Sequence, residues 1–276
     1  MSPAESAAHG AWREGAGGES LPPVVILCGG RGTRLRQRSG EVVKPLVEIG
    51  GRPLVWHVVM LYAAQGFRRF VLATGYRGQA VARFADAERW PPGVTVECLD
   101  TGEDRNTGGR VKLAGAHALA GGGGAFCATY ADGVADLDLH ALLAFHRDGA
   151  RAATLTAVRP RLQFGIARIA ADGAVTGFHE KPRSEHWING GFFCFERELL
   201  EELGEDSVLE REPLERRAHA GRLGAFRHEG FWQCLDTHKD AVELNDLWEA
   251  GEAPWRLWQD ASPALAAPAL ASAAGG

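Results

Sequence analysis

Pro23-Val24-Val25-Ile26-Leu27-Cys28-Gly29-Gly30-Arg31-Gly32-Thr33-Arg34-Leu35 is an apolar run that ends in a basic glycine loop. A short uncharged run rich in β-branched residues predicts a strand buried on both faces. In open α/β sheets, ligands bind outside the carboxyl ends of such strands, which is where the loop falls. Glycines let backbone N–H groups approach an anion, and Arg31, Thr33 and Arg34 add side-chain donors. The loop therefore predicts phosphate binding. It is not a Walker A loop, because G-K-[ST] is absent, nor a dinucleotide fingerprint, whose third glycine is replaced by Leu35.

Downstream the pattern alternates. Residues 53–65 read as a helix, with Pro53 at the start and Gly66 just past the end. A second buried strand (70–74), a helix (79–88), a strand (94–99), a helix (111–119), a strand (125–130) and a helix (139–147) follow. This alternation predicts an α/β chain whose mixed, mostly parallel central sheet is flanked by helices. Beyond it come short strands at 153–158, 165–169, 175–180 and 191–195, then helices at 209–220 and 239–250. No Pro/Gly/Ser linker separates the halves, so one domain over 23–260 is expected, with the later strands joining the same sheet. Residues 1–22 and 261–276 lack periodicity and are expected to be disordered tails.

Composition narrows the function classes. The chain has 276 residues, 45% of them hydrophobic, and a formal charge of −5. That is enough apolar material for a core, without the basic footprint of a nucleic-acid binder. No signal peptide or apolar stretch of membrane-spanning length is visible, so a cytoplasmic protein is expected. The five cysteines form no C-x-x-C pair and are expected to be free thiols. Only four of the 30 basic residues are lysine, and two of these precede proline, as Lys44-Pro45 and Lys181-Pro182. In so arginine-rich a chain, lysine marks places where a compact point charge is wanted.

Two aspartates follow strand-like stretches. Asp132, in Tyr130-Ala131-Asp132-Gly133, could hold Mg²⁺ on a phosphate, since that ion favours one or two carboxylates plus phosphate oxygens. Asp236 precedes a helix, so it is either a second ligand or an N-cap. Asp136 and Asp138 are expected to cap the helix after them. His57 and His179 lie beside these motifs and read as packing or substrate contacts.

In order, Gly29-Gly30-Arg31-Gly32-Thr33-Arg34-Leu35, Lys44-Pro45-Leu46, Asp132-Gly133, Glu180-Lys181-Pro182, Asn189-Gly190-Gly191 and Trp232…Asp236-Thr237 resemble the sugar-phosphate nucleotidyltransferase family. Thr74-Gly75-Tyr76-Arg77-Gly78, Thr107-Gly108-Gly109-Arg110 and Ala253-Pro254-Trp255 are most similar to its glucose-1-phosphate cytidylyltransferase branch. The resemblance spans roughly residues 23–258. It implies a Rossmann-like nucleotidyltransferase fold, CTP and a sugar 1-phosphate as substrates, Mg²⁺ as cofactor and a homo-oligomer.

The resemblance also implies roles. Gly29, Gly30, Gly32, Thr33 and Arg34 would wrap the triphosphate, with Lys44 at the reacting phosphates. Thr107, Gly109 and Arg110 would lie at the base, and Asp132 and Asp236 would hold the metal. Glu180, Lys181, Asn189 and Gly190 would hold the sugar phosphate. Arg34, Lys44 and Lys181 would carry the catalysis. Val43 and Ala131 stand where relatives commonly have proline and glycine, and neither change removes a donor or ligand. Another nucleotide (UTP or dTTP), another sugar phosphate, or a non-catalytic nucleotide-sugar sensor are the alternatives.

Overall fold

The structure is a computed structural model that describes residues 20–30 and 43–258. Arg31, Gly32, Thr33 and Arg34 lie outside the described residues, as do residues 1–19 and 259–276. In chain order, β1 (Val24–Leu27) leads past a 3-10 turn at Lys44–Leu46 into a small ribbon, β2 (Glu48–Ile49) and β3 (Arg52–Pro53). Then come α1 (Leu54–Ala63), β4 (Arg69–Thr74), α2 (Gly78–Ala87), β5 (Thr95–Asp100), α3 (Thr107–Ala118) and β6 (Ala125–Tyr130). The chain continues through β7 (Gly133–Ala135), α4 (Leu139–Asp148), β8 (Ala153–Val158), β9 (Ile166–Ile169) and β10 (Val175–His179). It closes with β11 (Ile188–Glu196), α5 (Leu199–Glu202), α6 (Glu212–His219), β12 (Leu223–His228), β13 (Trp232–Cys234) and α7 (His238–Glu249).

Seven strands form the central sheet in the order β12-β8-β11-β6-β1-β4-β5. All neighbours are parallel except β11, which runs antiparallel to both β6 and β8. Alternate residues of β1 face two cores. Val24 and Ile26 join α1, Phe70, Leu72 and Phe192, whereas Val25 and Leu27 join α3, Val71 and Phe126. All ten residues of α1 are buried, as expected of a helix apolar on every side.

The later strands do not all join this sheet. β9 pairs only with β10, β7 pairs with β13, and Leu223–His228 supplies the sheet's outer strand, β12. Among the described residues the β9–β10 ribbon forms a two-stranded sheet of its own. Its register places Phe178 opposite Ala167 and Val175 opposite Ile169, so one face is apolar and exposed. Asp138 caps α4, accepting from Ala141 N at 2.9 Å. Asp136 does not cap it. It accepts from Phe231 N at 2.7 Å and lies 2.9 Å from His228 Nε2, tying β7 to the turn after β12. The cap of α7 is Thr237, in a capping box with Asp240, which leaves Asp236 one residue outside the helix. All five cysteines are free. No helix among the described residues is long and apolar enough to cross a membrane.

Candidate functional site

The site lies at the carboxyl ends of β1 and β6. Asp132 follows β6 by two residues and immediately precedes β7. The β7–β13 ribbon sets Gly133 opposite Cys234, and Leu235 N donates to the Asp132 carbonyl at 2.7 Å. That pairing brings Asp132 and Asp236 to one place. Lys44 enters from the 3-10 turn, with the buried Pro45 behind it. Its Nζ donates to Asp132 Oδ2 at 2.7 Å and to Asp236 Oδ1 at 2.6 Å. Burial alone would lower the pKa of this ammonium, but the two carboxylates, Asp132 foremost, outweigh it and hold the value above the ordinary lysine range. Lys44 is therefore a fixed positive charge.

Two carboxylates converging on one cation are also a donor set for a divalent ion. Among the described residues no third His, Cys, Asp or Glu joins them. A hard cation would need further oxygens from bound phosphates, which is how Mg²⁺ is usually held. The residues fit a metal brought with its substrate, not an all-protein cage.

Two cavities meet here. The larger, about 400 Å³, is lined by Gly29, Gly30, Lys44, Thr107, Arg110 and Asp132, together with residues 103–106 and Tyr130. The smaller, about 170 Å³, is lined by Tyr130, Asp132, Asn189, Gly190, Trp232 and Cys234, among others. Tyr130 and Asp132 belong to both. A group seated in one cavity thus faces a group in the other across Tyr130 and Asp132, with Lys44 on the larger side.

The segment 107–110 forms the first turn of α3, and its polar groups have partners within the protein. Thr107 Oγ1 donates to Glu210 Oε2 at 2.6 Å and accepts from Leu209 N at 2.9 Å. Gly108 N and Gly109 N both point at Ser207 O, at 2.9 and 3.3 Å. A Cβ on Gly109 would overlap the Glu205 carbonyl, so the glycine there permits close approach of the 205–210 loop. Arg110 is buried, and its guanidinium reaches Thr74 O, Thr101 Oγ1, Gly29 O and Glu103 O at 2.6–3.2 Å. It binds the end of β1 to the end of β4 and so shapes the cavity wall.

On the other side, Asn189 Oδ1 accepts from Gly191 N at 2.9 Å, and Trp232 Nε1 donates to Gly190 O at 2.8 Å. Glu180 and Lys181 follow β10, are exposed and line neither cavity. Lys181 adopts φ +45°, a conformation disfavoured for any residue with a Cβ and doubly so before Pro182. Flanking hydrogen bonds hold it there: Leu162 N to Pro182 O and Ser184 N to Pro160 O, both at 2.9 Å. His57 is fully buried among Trp56, Trp248, Trp255 and Trp258, a packing position. Glu210, which bonds Thr107 and Tyr130, belongs to no motif in the sequence. Only its place beside the α6 start marks it, and that gives no hint of its partners.

The family model for nucleotidyl transferases matches residues 23–250. The glucose-1-phosphate cytidylyltransferase of Salmonella typhimurium is 40% identical over 257 residues, covering 85% of this chain and 99% of its own. The probable glucose-1-phosphate cytidylyltransferase of Bacillus subtilis is 34% identical over 255 residues, with the same coverage. Among solved structures, HddC from Yersinia pseudotuberculosis superposes with a TM-score of 0.66 at 23% identity, covering 83% of this chain and all of that one. That last likeness concerns the fold.

Proposed function

The chain belongs to the nucleotidyl transferase family, and from that premise we propose that it transfers the cytidylyl group of CTP to α-D-glucose 1-phosphate, giving CDP-glucose and pyrophosphate. The carrying observation is Lys44 clamped between Asp132 and Asp236 where two cavities meet. The sizes fit the assignment, with the nucleotide in the larger cavity and the sugar phosphate in the smaller. The named activity of the relatives supports the choice of CTP and glucose.

The chemistry asks little of a proton shuttle. A phosphate monoester has a second pKa near ~6, so its attacking oxygen is already deprotonated at neutral pH. That oxygen bonds to the α-phosphorus of CTP as the bond to the bridging oxygen breaks, and pyrophosphate leaves. The obstacle is repulsion between two polyanions, overcome by positioning and fixed positive charge. Lys44, permanently protonated and lining the larger cavity, presents that charge to the phosphates. A divalent cation such as Mg²⁺, held by Asp132 and Asp236, would supply Lewis-acid neutralisation of the triphosphate. Gly29 and Gly30 would offer backbone N–H groups to it, together with Gly32, Thr33 and Arg34. Thr107, Gly109 and Arg110 would shape the base end. Asn189 and Gly190 would hold the sugar in the smaller cavity, with Glu180 and Lys181 approaching its phosphate from the ribbon side. A homo-oligomer is the assembly expected, and the exposed apolar face of the β9–β10 ribbon supports it.

Pyrophosphate release with a matrix of CTP, UTP, dTTP, ATP and GTP against several sugar 1-phosphates tests the reading. The expected outcome is fastest release with CTP and glucose 1-phosphate. Faster release with another pair would reassign the substrates. No release with any pair would leave a non-catalytic nucleotide-sugar sensor.

A further inference from the structure

Both cavities send a hydrogen bond into one carboxylate. From the larger cavity, the Thr107 hydroxyl donates to Glu210 Oε2 at 2.6 Å. From the wall shared by both, the Tyr130 hydroxyl donates to Glu210 Oε1. The chain continues into the smaller cavity, where Asn189 Nδ2 donates to the Tyr130 oxygen at 3.4 Å. Every donor points the same way, so the direction is self-consistent: Asn189 to Tyr130 to Glu210, and Thr107 to Glu210. An ionised carboxylate offers only acceptors, so the Tyr130 hydroxyl is the donor in this bond. The ring is braced edge-on against Phe193, with centroids 5.6 Å apart.

A carboxylate that accepts from both arms ties their positions together. Hydrogen bonds to an ionised acceptor are the stronger ones, and a chain of them responds as a unit. Thr107 is itself fixed from behind by Leu209 N, one residue from Glu210, so a shift of the α3 first turn also moves the carboxylate. We propose that Glu210, through Tyr130, couples the two cavities, so that occupation of the nucleotide cavity sets the position of Asn189 for the sugar phosphate. Glu210 and Tyr130 are positioning residues in this scheme. The inference rests on assigning the cavities to nucleotide and sugar phosphate, as above.

The test is a steady-state matrix of CTP against glucose 1-phosphate on the wild type, Thr107→Val, Tyr130→Phe, Glu210→Gln and Asn189→Ala, with thermal melts to confirm folding. The distinctive expectation is that Thr107→Val, a change in the nucleotide cavity, raises KM for the sugar phosphate about three- to tenfold, part of the worth of one charge-assisted hydrogen bond being felt at the second cavity. Tyr130→Phe should do the same, and Thr107→Val combined with Asn189→Ala should be less than additive. Glu210→Gln can still accept one of the two donors and should show an intermediate effect. A Thr107→Val enzyme whose sugar-phosphate KM equals the wild type, or strict additivity of the double variant, overturns the coupling. A wild type inactive with every substrate pair overturns instead the assignment beneath it.

Discussion

Trp255 donates its indole N–H to Nδ1 of His57 across 3.3 Å, and on the far side of the ring His57 Nε2 meets the Ile49 carbonyl at 2.8 Å. With Nδ1 accepting and Nε2 donating, the imidazole is held neutral and serves as a strut between the segment after α7 and the β2–β3 ribbon.

That strut predicts a pH dependence of stability. Burial drives the His57 pKa down to about 4 from its ordinary 6.5. Between those values the unfolded chain binds more protons than the folded one, so stability rises with pH through the window. The contribution is present above pH 6.5 and is lost as pH falls toward 4. Urea denaturation should show a loss of about 2 kcal/mol from this group between pH 7 and 5. His57→Gln should flatten that slope, and an unchanged slope would remove His57 as its source.

Asp132→Asn and Asp236→Asn should each cut pyrophosphate release by about 100-fold or more and raise the Mg²⁺ concentration needed for half-maximal rate. Their melting temperatures should stay near wild type, because each carboxylate side chain is about a third exposed and Lys44 keeps the other partner. Lys44→Ala should lower kcat comparably without raising the Mg²⁺ requirement. A shared Mg²⁺ response in all three variants would merge the two roles.

Arg110→Lys should destabilise by roughly 2–4 kcal/mol, since one ammonium cannot serve four acceptors, three of them in buried bonds, arranged around a fork. A Cβ at position 29 would overlap that guanidinium, so Gly29→Ala should push Arg110 out of place and give a similar loss. The double variant should be far from additive in melting experiments. Full additivity would separate the two residues.

Trp232→Phe removes the N–H that Gly190 O receives at 2.8 Å while keeping the ring. The expected result is a rise of about five- to tenfold in KM for glucose 1-phosphate, with KM for CTP within twofold of wild type. A reversed pattern would move Trp232 to the nucleotide side.

The centre of the sheet is legible in the sequence because β1, β4 and β6 are buried along most of their length and read as largely apolar runs. The strand at 153–158 has the boundaries its pattern suggests, and 70–74 gains only Arg69. Helix α3 begins at Thr107, ahead of the 111 expected, because Gly108-Gly109 looks like a break. What holds the glycines helical is the 205–210 loop pressed on that turn, a contact about 100 residues distant in the chain. β12, with Gly224 and Arg227 inside it and only Gly224 buried, carries no clear strand signal, yet pairing with β8 over six residues fixes it. The same logic divides the site. Lys44, Asp132 and Asp236 stand in recognisable motifs, whereas Glu210 gains its meaning only from the folds of chain that bring Thr107 and Tyr130 to it.

The two ion pairs of Lys44 join residues 88 and 192 positions apart. During synthesis, β1 and the lysine emerge early and β4 follows to pair with one side of β1, but the other side waits for β6, and β6 is covered only when β11 inserts against it. Asp236 arrives near the end of the domain, carried by β13. Contacts of such long sequence separation form late and slow folding. A nascent chain arrested before residue 236 would therefore carry Lys44 and Asp132 without the second carboxylate. Any nucleotide-dependent protection from protease should appear abruptly, once the last strand has been released from the ribosome.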